Sequence, residues 1–441
     1  MITILPSTDI AGVDRLLSPR RSDDRAFTRR VARIVEDVRL GGDAAVRVYA
    51  ERLDKLNQPF EVTPEEIAAG AGRAPASVRA AIQRAARHIT SVARAQVPRR
   101  FRITVAPGIT VEQRVTPLDR VGCYVPGGRH PLPSSLLMTA IPARVAGVRE
   151  IVAVCPRPDD VVLAAAQAAG VTRLFRIGGA HAIAALATGT ATIPRVDKIV
   201  GPGNRWVATA KSYVSSECAI DFQAGPSEIL ILSERGRPDW IAADLIAQAE
   251  HDPDARAIFI TSRADLAQAV ADAVTAQMPD EGPARASLAA HGGVIVSASA
   301  AEAIQLANRM APEHLVVDTE QQAAQVRCAG SIFIGAHTAQ VAGDYAIGSN
   351  HVLPTSAAAR FRGGLSAADY VRVVSVQRMT SAGLRGIAET VITLAQAEGL
   401  TAHARSIELR TAIPGMRAAA TPTKRSARTR SPRVPARRGT V

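Results

Sequence analysis

Apolar positions early in the chain recur at helical spacing. Phe27, Val31, Ile34, Val35 and Val38 fall on one stripe, and Gly41-Gly42 closes it. Asp43 restarts a helix through Val46, Tyr49 and Leu53, and a third is predicted from Ala76 to about Val97. Strand-like runs follow at Arg102–Val105 and Ile109–Val115, then a Gly/Pro-rich loop that opens at Tyr124.

Beyond that loop the period alternates. Strands are predicted at Ile151–Cys155, Arg173–Ile177 and Lys198–Val200, and helices at Asp160–Ala169, Ala180–Ala187 and Trp206–Val214. A second series has strands at Ile229–Leu232, Ala257–Thr261, Val294–Val296, Leu315–Val317 and Ile332–Ile334, with helices between them. Strand–helix alternation implies parallel sheets. Two such series imply an α/β protein with two doubly wound, Rossmann-like domains and small N-terminal and C-terminal helical segments.

The expected boundaries are an arm at 1–20 and a discontinuous first domain of 21–123 with 228–365. A second domain is expected at 124–227, a small helical domain at 366–417 and a disordered basic tail at 418–441.

Composition narrows the classes. The 441 residues are 47% hydrophobic, and no apolar run reaches membrane-spanning length. The start has no basic region followed by a long apolar stretch, so no signal peptide is expected. Cys123, Cys155, Cys218 and Cys328 are scattered, which argues against a disulfide framework or a thiolate zinc site and fits a reducing cytoplasm. The net charge of +13 suggests a nucleic-acid binder until it is located. Arg417, Lys424, Arg425, Arg428, Arg430, Arg433, Arg437 and Arg438 carry +8 of it, with no acid among them. The excess is mostly a tail, so nucleic-acid binding is not expected of the folded body.

The candidate chemistry is dispersed. Gln248 and His251 stand three apart at the end of a predicted helix, where an amide oxygen and an imidazole could share a metal ion; pairs at this spacing are more often simply solvated. Asp344 and His403 would complete two imidazoles and two oxygens, a set that suits zinc. Glu313-His314 lies between Pro312 and a strand, with apolar flanks, and reads as a semi-buried pair or a catalytic acid/base pair. Gly178-Gly179 and Gly201-Pro202-Gly203-Asn204 each join a strand to a helix. They fit a nucleotide site or simply tight turns.

The chain resembles the histidinol dehydrogenase family over roughly residues 20–415. The resemblance rests on Tyr124-Val-Pro-Gly-Gly, Pro133-Ser-Ser-Leu-Leu-Met, Val196-Asp-Lys-Ile-Val-Gly-Pro-Gly-Asn, Ala224-Gly-Pro-Ser-Glu, Gln248-Ala-Glu-His, Pro312-Glu-His-Leu, Ala342-Gly-Asp-Tyr-Ala, Asn350-His-Val-Leu-Pro-Thr and Leu400-Thr-Ala-His. It implies one zinc per chain on Gln248, His251, Asp344 and His403, and a catalytic pair in Glu313 and His314. Substrate contacts are implied at Ser227, His351 and Glu398 as well as at the four zinc residues and His314. Nucleotide contacts are implied at Tyr124, Asn204 and the position of His181.

The implied reaction oxidises L-histidinol to the aldehyde and then to L-histidine, reducing one NAD at each step. The enzyme would be cytoplasmic and homodimeric, with residues of the C-terminal cap reaching across the interface. The chain departs from the family at His181, where a Gln is usual, and at Thr188, Phe222-Gln223 and Arg129-His130. Those departures also suit a sister dehydrogenase for another amino alcohol. A zinc hydrolase would need no paired glycine turns, and a non-catalytic binding protein would work through its basic tail.

Overall fold

Strands that are apolar on both faces build the centre of the protein, because a parallel sheet has both faces covered by helices. The computed structural model describes residues 2–19, 24–127, 132–223 and 225–412. In the first sheet the strand order is Thr3–Pro6, Gly293–Val296, Arg256–Thr261, Glu228–Leu232, His314–Val317 and Ser331–Ile334, with every pair parallel. Ile229, Ile231, Ala257 and Phe259 enter the core on one face of this sheet, and Leu230, Leu232, Ile258 and Ile260 enter the core on the other.

The second sheet runs Glu61–Val62, Arg173–Phe175, Glu150–Val154, Arg120–Tyr124, Lys198–Val200 and Ala219–Ile220. It is parallel except for its edge strand Glu61–Val62, which runs antiparallel to Arg173–Phe175.

The helices before the second sheet belong with it. Phe27, Val31, Val35, Val38 and Val46 share a core with Val152, Val154 and Phe175. Ile82, Ala86 and Ile89 share another with Val121, Leu136 and Ile141. Most of 21–123 therefore packs on the second sheet rather than the first, and the expected arm supplies an edge strand to the first sheet. An apolar helical stripe does not name the sheet it will cover, so the pattern alone could not make this assignment. The break at Gly41-Gly42 is real: Gly42 has φ +53° and ψ −137° inside the helical run Arg25–Tyr49.

The chain divides into two compact units, 1–99 with 115–374, and 100–114 with the residues from Ser375 onward. The second unit contains the antiparallel pairing of Phe101–Ala106 with the strand that starts at Ile109, and the helices Ser381–Ala397 and Thr401–Thr411. The described part of the segment expected to be helical, 366–417, holds the helices Ser381–Ala397 and Thr401–Thr411 and also a nine-residue strand, Val371–Met379, which the sequence reading did not include. Val371, Val373, Val374 and Val376 are β-branched, and their stiff χ1 favours extended backbone over helix. The predicted tail 418–441 and Arg129-His130 lie outside the described residues. Among the described residues no helix is long and apolar enough to cross a membrane.

Candidate active site

The starts of two neighbouring strands in the first sheet bring the acid and the imidazole together. Glu313 immediately precedes the strand His314–Val317, and Ser227 immediately precedes Glu228–Leu232. Ile229 pairs with His314 across the ladder, which fixes the register of the two strand starts. Gly330 on the adjacent segment allows the approach, since a Cβ there would come within 2.6 Å of the Glu313 carbonyl oxygen.

Both members of the pair are buried, Glu313 at 6% and His314 at 3% exposure. Glu313 Oε2 accepts hydrogen bonds from Ser227 Oγ (2.6 Å) and from the Glu228 amide (2.7 Å). His314 Nδ1 lies 2.9 Å from the Glu228 carbonyl. A carbonyl only accepts, so the proton sits on Nδ1 and Nε2 carries the free lone pair when the ring is neutral. That Nε2 has no hydrogen-bond partner, and it stands 3.7 Å from Asp344 Oδ1.

Burial raises the Glu313 carboxyl pKa above its usual range, against the lowering effect of His314, Ser227 and the Glu228 amide. Burial also works against the charged form of His314. The carboxylates of Glu313 and Asp344 outweigh that effect and raise His314 to about 9. Burial lowers the basicity of His351, whose Nδ1 is held by the Asp344 carbonyl at 2.9 Å. His351 Nε2 lies 3.4 Å from Ser135 Oγ, on the helix Pro133–Ala146 of the second sheet.

Gln248 sits in the last turn of the helix Pro238–Ala249 and is wholly buried. Its Nε2 donates to Ser227 Oγ at 2.6 Å, and its Oε1 has no partner. His251 lies just past the helix end and is exposed; its Nδ1 approaches the Ala247 carbonyl at 3.2 Å, leaving Nε2 free. The charge of His251 is felt by Glu313, Asp344 and His351, so it belongs to the same cluster. Asp344 lies on the short helix Gln340–Tyr345, and its carboxyl is held low by His314 against the opposing effect of burial.

The fold thus gathers Ser227, Gln248, His251, Glu313, His314, Asp344 and His351. Glu398 and His403 belong to the second unit, at the C-cap of Ser381–Ala397 and in the first turn of Thr401–Thr411, and both are exposed there. Among the described residues no three His, Cys, Asp or Glu side chains form a ready metal cage. The test of fit is therefore Gln248 Oε1. A buried carbonyl oxygen without a donor is costly, and a cation is a fitting partner for it. Asp344 Oδ1 and His251 Nε2 add the oxygen and nitrogen that zinc accepts. No cysteine competes as a nucleophile among Cys123, Cys155 and Cys218, whose thiols burial pushes up to about 12.

On the second sheet the expected nucleotide residues stand at the carboxyl ends of strands, where such ligands bind. Each is engaged internally. Tyr124 Oη accepts from the Gly179 amide at 3.1 Å. Asn204 Oδ1 caps the helix Arg205–Val214 by accepting from the Trp206 and Val207 amides. His181 is fully buried, with Nε2 donating to Asp54 Oδ2 at 2.9 Å, and the same oxygen accepts from the Gly178 amide. Gly201, at φ +113°, lets its turn lie against Tyr124, where a Cβ would come within 2.3 Å of the Tyr124 carbonyl oxygen.

Sequence reasoning gave no role to Ser135, Asp54 or Gln340. Ser135 stands inside the quoted Pro133-Ser-Ser-Leu motif, which was a signal. Asp54 and Gln340 stand in unremarkable helical sequence.

Comparison with known proteins points to one family. The family model described as histidinol dehydrogenase matches residues 17–411. The chain is similar to a histidinol dehydrogenase of Gluconobacter oxydans, at 45% identity over 90% of this chain and 95% of the relative. It is also similar to one of Pseudomonas aeruginosa, at 45% identity over 90% and 94%. Its fold matches a crystal structure of histidinol dehydrogenase from Elizabethkingia anophelis with a TM-score of 0.87 and 32% identity, covering 93% of this chain and 98% of the other.

Proposed function

The chain belongs to the histidinol dehydrogenase family, an oxidoreductase family acting on an alcohol and its aldehyde, and from that premise we propose the substrate, cofactors and residue roles that follow. The substrate is L-histidinol, taken through L-histidinaldehyde to L-histidine with NAD as the acceptor at each step. The observation that carries this reading is the buried Glu313–His314 pair, with His314 Nδ1 tied to the Glu228 carbonyl and Nε2 left free.

In the first step His314 Nε2 would take the hydroxyl proton as hydride leaves the carbinol carbon; the ring is neutral for this only where a bound cation offsets the Glu313 and Asp344 carboxylates that raise it. In the second, Glu313 would take a proton from the water that adds to the aldehyde while His314 returns its proton to the carbonyl oxygen, and the neutral hydrate so formed would give up its hydride once NAD is bound. His314 accepts the accompanying hydroxyl proton. Ser227 and the Glu228 amide hold Glu313 in place for this, and their hydrogen bonds favour its charged, basic form.

Gln248, His251 and Asp344 would hold one zinc, with His403 as the fourth ligand. Zinc bound there supplies fixed positive charge that holds the substrate's amine and imidazole and offsets the carboxylates, with no redox role of its own. Ser227, His351 and Glu398 complete the substrate site. Tyr124, Asn204 and the turn near His181 line the nucleotide side.

Glu398 and His403 would be supplied by a second copy, which makes the working unit a homodimer. The buried thiols suit a reducing cytoplasm. The test is NADH formation on adding L-histidinol, with two NADH expected per substrate consumed. No NADH from L-histidinol, with NADH from another amino alcohol, would move the substrate and leave the site intact.

A further inference from the structure

Asp344 is held from within its own helix. Gln340 lies one turn earlier on Gln340–Tyr345, is wholly buried, and donates from Nε2 to Asp344 Oδ2 at 2.7 Å. The direction of this amide is chemically determined. A carboxylate oxygen accepts, so the NH2 group faces Asp344 Oδ2 and the carbonyl oxygen faces away. The consequence is visible, because Gln340 Oε1 is buried with no hydrogen-bond partner. A side chain kept buried with half of its polar capacity unmet is held there for what the other half does.

Gln340 ties Oδ2 and leaves Oδ1 as the oxygen that faces His314 Nε2 at 3.7 Å. Ser227 does the equivalent for Gln248, engaging Nε2 and leaving Oε1 without a partner. Each of these two oxygen-bearing side chains is therefore turned by one neighbour, Gln340 or Ser227, so that a single oxygen stays open.

We propose that Gln340 is a positioning residue of the metal site: its amide orients the Asp344 carboxylate so that Oδ1 is presented to the cation. The proposal rests on the zinc reading of Gln248, His251, Asp344 and His403. Outer partners of metal-binding carboxylates commonly carry about 10–100-fold of the affinity.

The test uses the full-length chain, stripped of metal and titrated with zinc against a chelating indicator. Gln340→Met keeps the length and burial and removes the donor. Its zinc affinity should fall by about 10–100-fold, while the melting temperature of the metal-free protein holds or rises because the unpaired oxygen is gone. A merely structural Gln340 predicts the reverse, with lower melting and unchanged zinc affinity, and that result overturns the proposal. Gln340→Leu carries the same expectation should the Met variant not fold. Failure of both to fold would also overturn it. A wild-type protein that takes up no zinc would instead overturn the metal reading, a result seen before any variant is compared.

Discussion

Ser227 gives its only hydroxyl proton to Glu313 Oε2, at 2.6 Å, and so fixes the orientation of the carboxylate. Its oxygen is then free to accept from the Gln248 amide, also at 2.6 Å. One hydroxyl therefore links the residue assigned to water activation with a residue assigned to the metal. Ser227→Ala removes a charge-assisted hydrogen bond, commonly about 1.5–3 kcal/mol.

The effect on pH has a definite sign. The Ser227 hydrogen bond lowers the Glu313 pKa against a larger raising effect of burial, so losing it must raise that pKa further. The acid limb of the rate profile for aldehyde oxidation should move to higher pH in Ser227→Ala. A limb that stays in place would mean that Glu313 is not the group titrating there.

Metal removal should abolish both oxidations. Full-length protein treated with a strong chelator is expected to lose activity and to regain it on adding zinc. His403→Asn should lower zinc content together with rate. Full activity in a preparation verified as metal-free would reject the ligand set.

His181 is placed as a core histidine. Its ring is fully buried, and Asp54 Oδ2 receives both His181 Nε2–H and the Gly178 amide. Asp54→Ala would strand two buried donors, each costing about 1–3 kcal/mol. A clear drop in the denaturant midpoint is expected. His181→Gln should leave the pH dependence of NAD affinity as it is in the wild type. A pH profile that flattens in His181→Gln would put the imidazole beside the nucleotide after all.

Much of this was legible in sequence because it was local. The helix break at Gly41-Gly42 and the strand Ile229–Leu232 follow from period and glycine alone. The chemistry of Glu313-His314 could be guessed from its apolar flanks, but the hands that hold it could not. Ser227 and Glu228 lie some eighty-five residues earlier and meet the pair only because Ile229 and His314 become cross-strand neighbours. The usual rule puts ligands at the carboxyl ends of parallel strands. Here Glu228 and His314 are the first residues of their strands, so the acid/base pair stands at the opposite end, and fold type alone would have pointed elsewhere. The strand Val371–Met379 was missed because neighbouring helical sequence masked a short β-branched run.

Asp244 offers a test one turn before Gln248 on the same helix. It lies mid-helix in Pro238–Ala249, and burial pushes its carboxyl up to about 6. A raised folded-state pKa means that the neutral form is the one the fold accepts. Its contribution is complete below the unfolded value of about 3.9 and is lost as pH rises through about 6. Asp244→Asn should therefore melt higher than the wild type at neutral pH, with the gap closing toward pH 4. A gap independent of pH would show that the carboxyl does not titrate in this window.

The two oxidations separate the roles of the catalytic pair. Only the second consumes water, and Glu313 is assigned to activate that water. His314, with Nε2 free and Nδ1 tied to the Glu228 carbonyl, serves both. Glu313→Gln keeps the shape and removes the basic carboxylate. Loss of a positioned general base commonly costs on the order of a hundred- to ten-thousand-fold. Oxidation of supplied L-histidinaldehyde should fall by that order, while single-turnover oxidation of the alcohol falls far less. His314→Asn should slow both. In Glu313→Gln the new side-chain amide can still accept from Ser227 and Glu228 through its oxygen, so the loop should keep its place and the melting temperature should change little. The decisive measurement is a pair of pre-steady-state rates for each variant, one from alcohol and one from aldehyde. Equal losses at both steps in Glu313→Gln, joined to a lower melting temperature, would reduce Glu313 to a brace for the loop and leave His314 as the sole base.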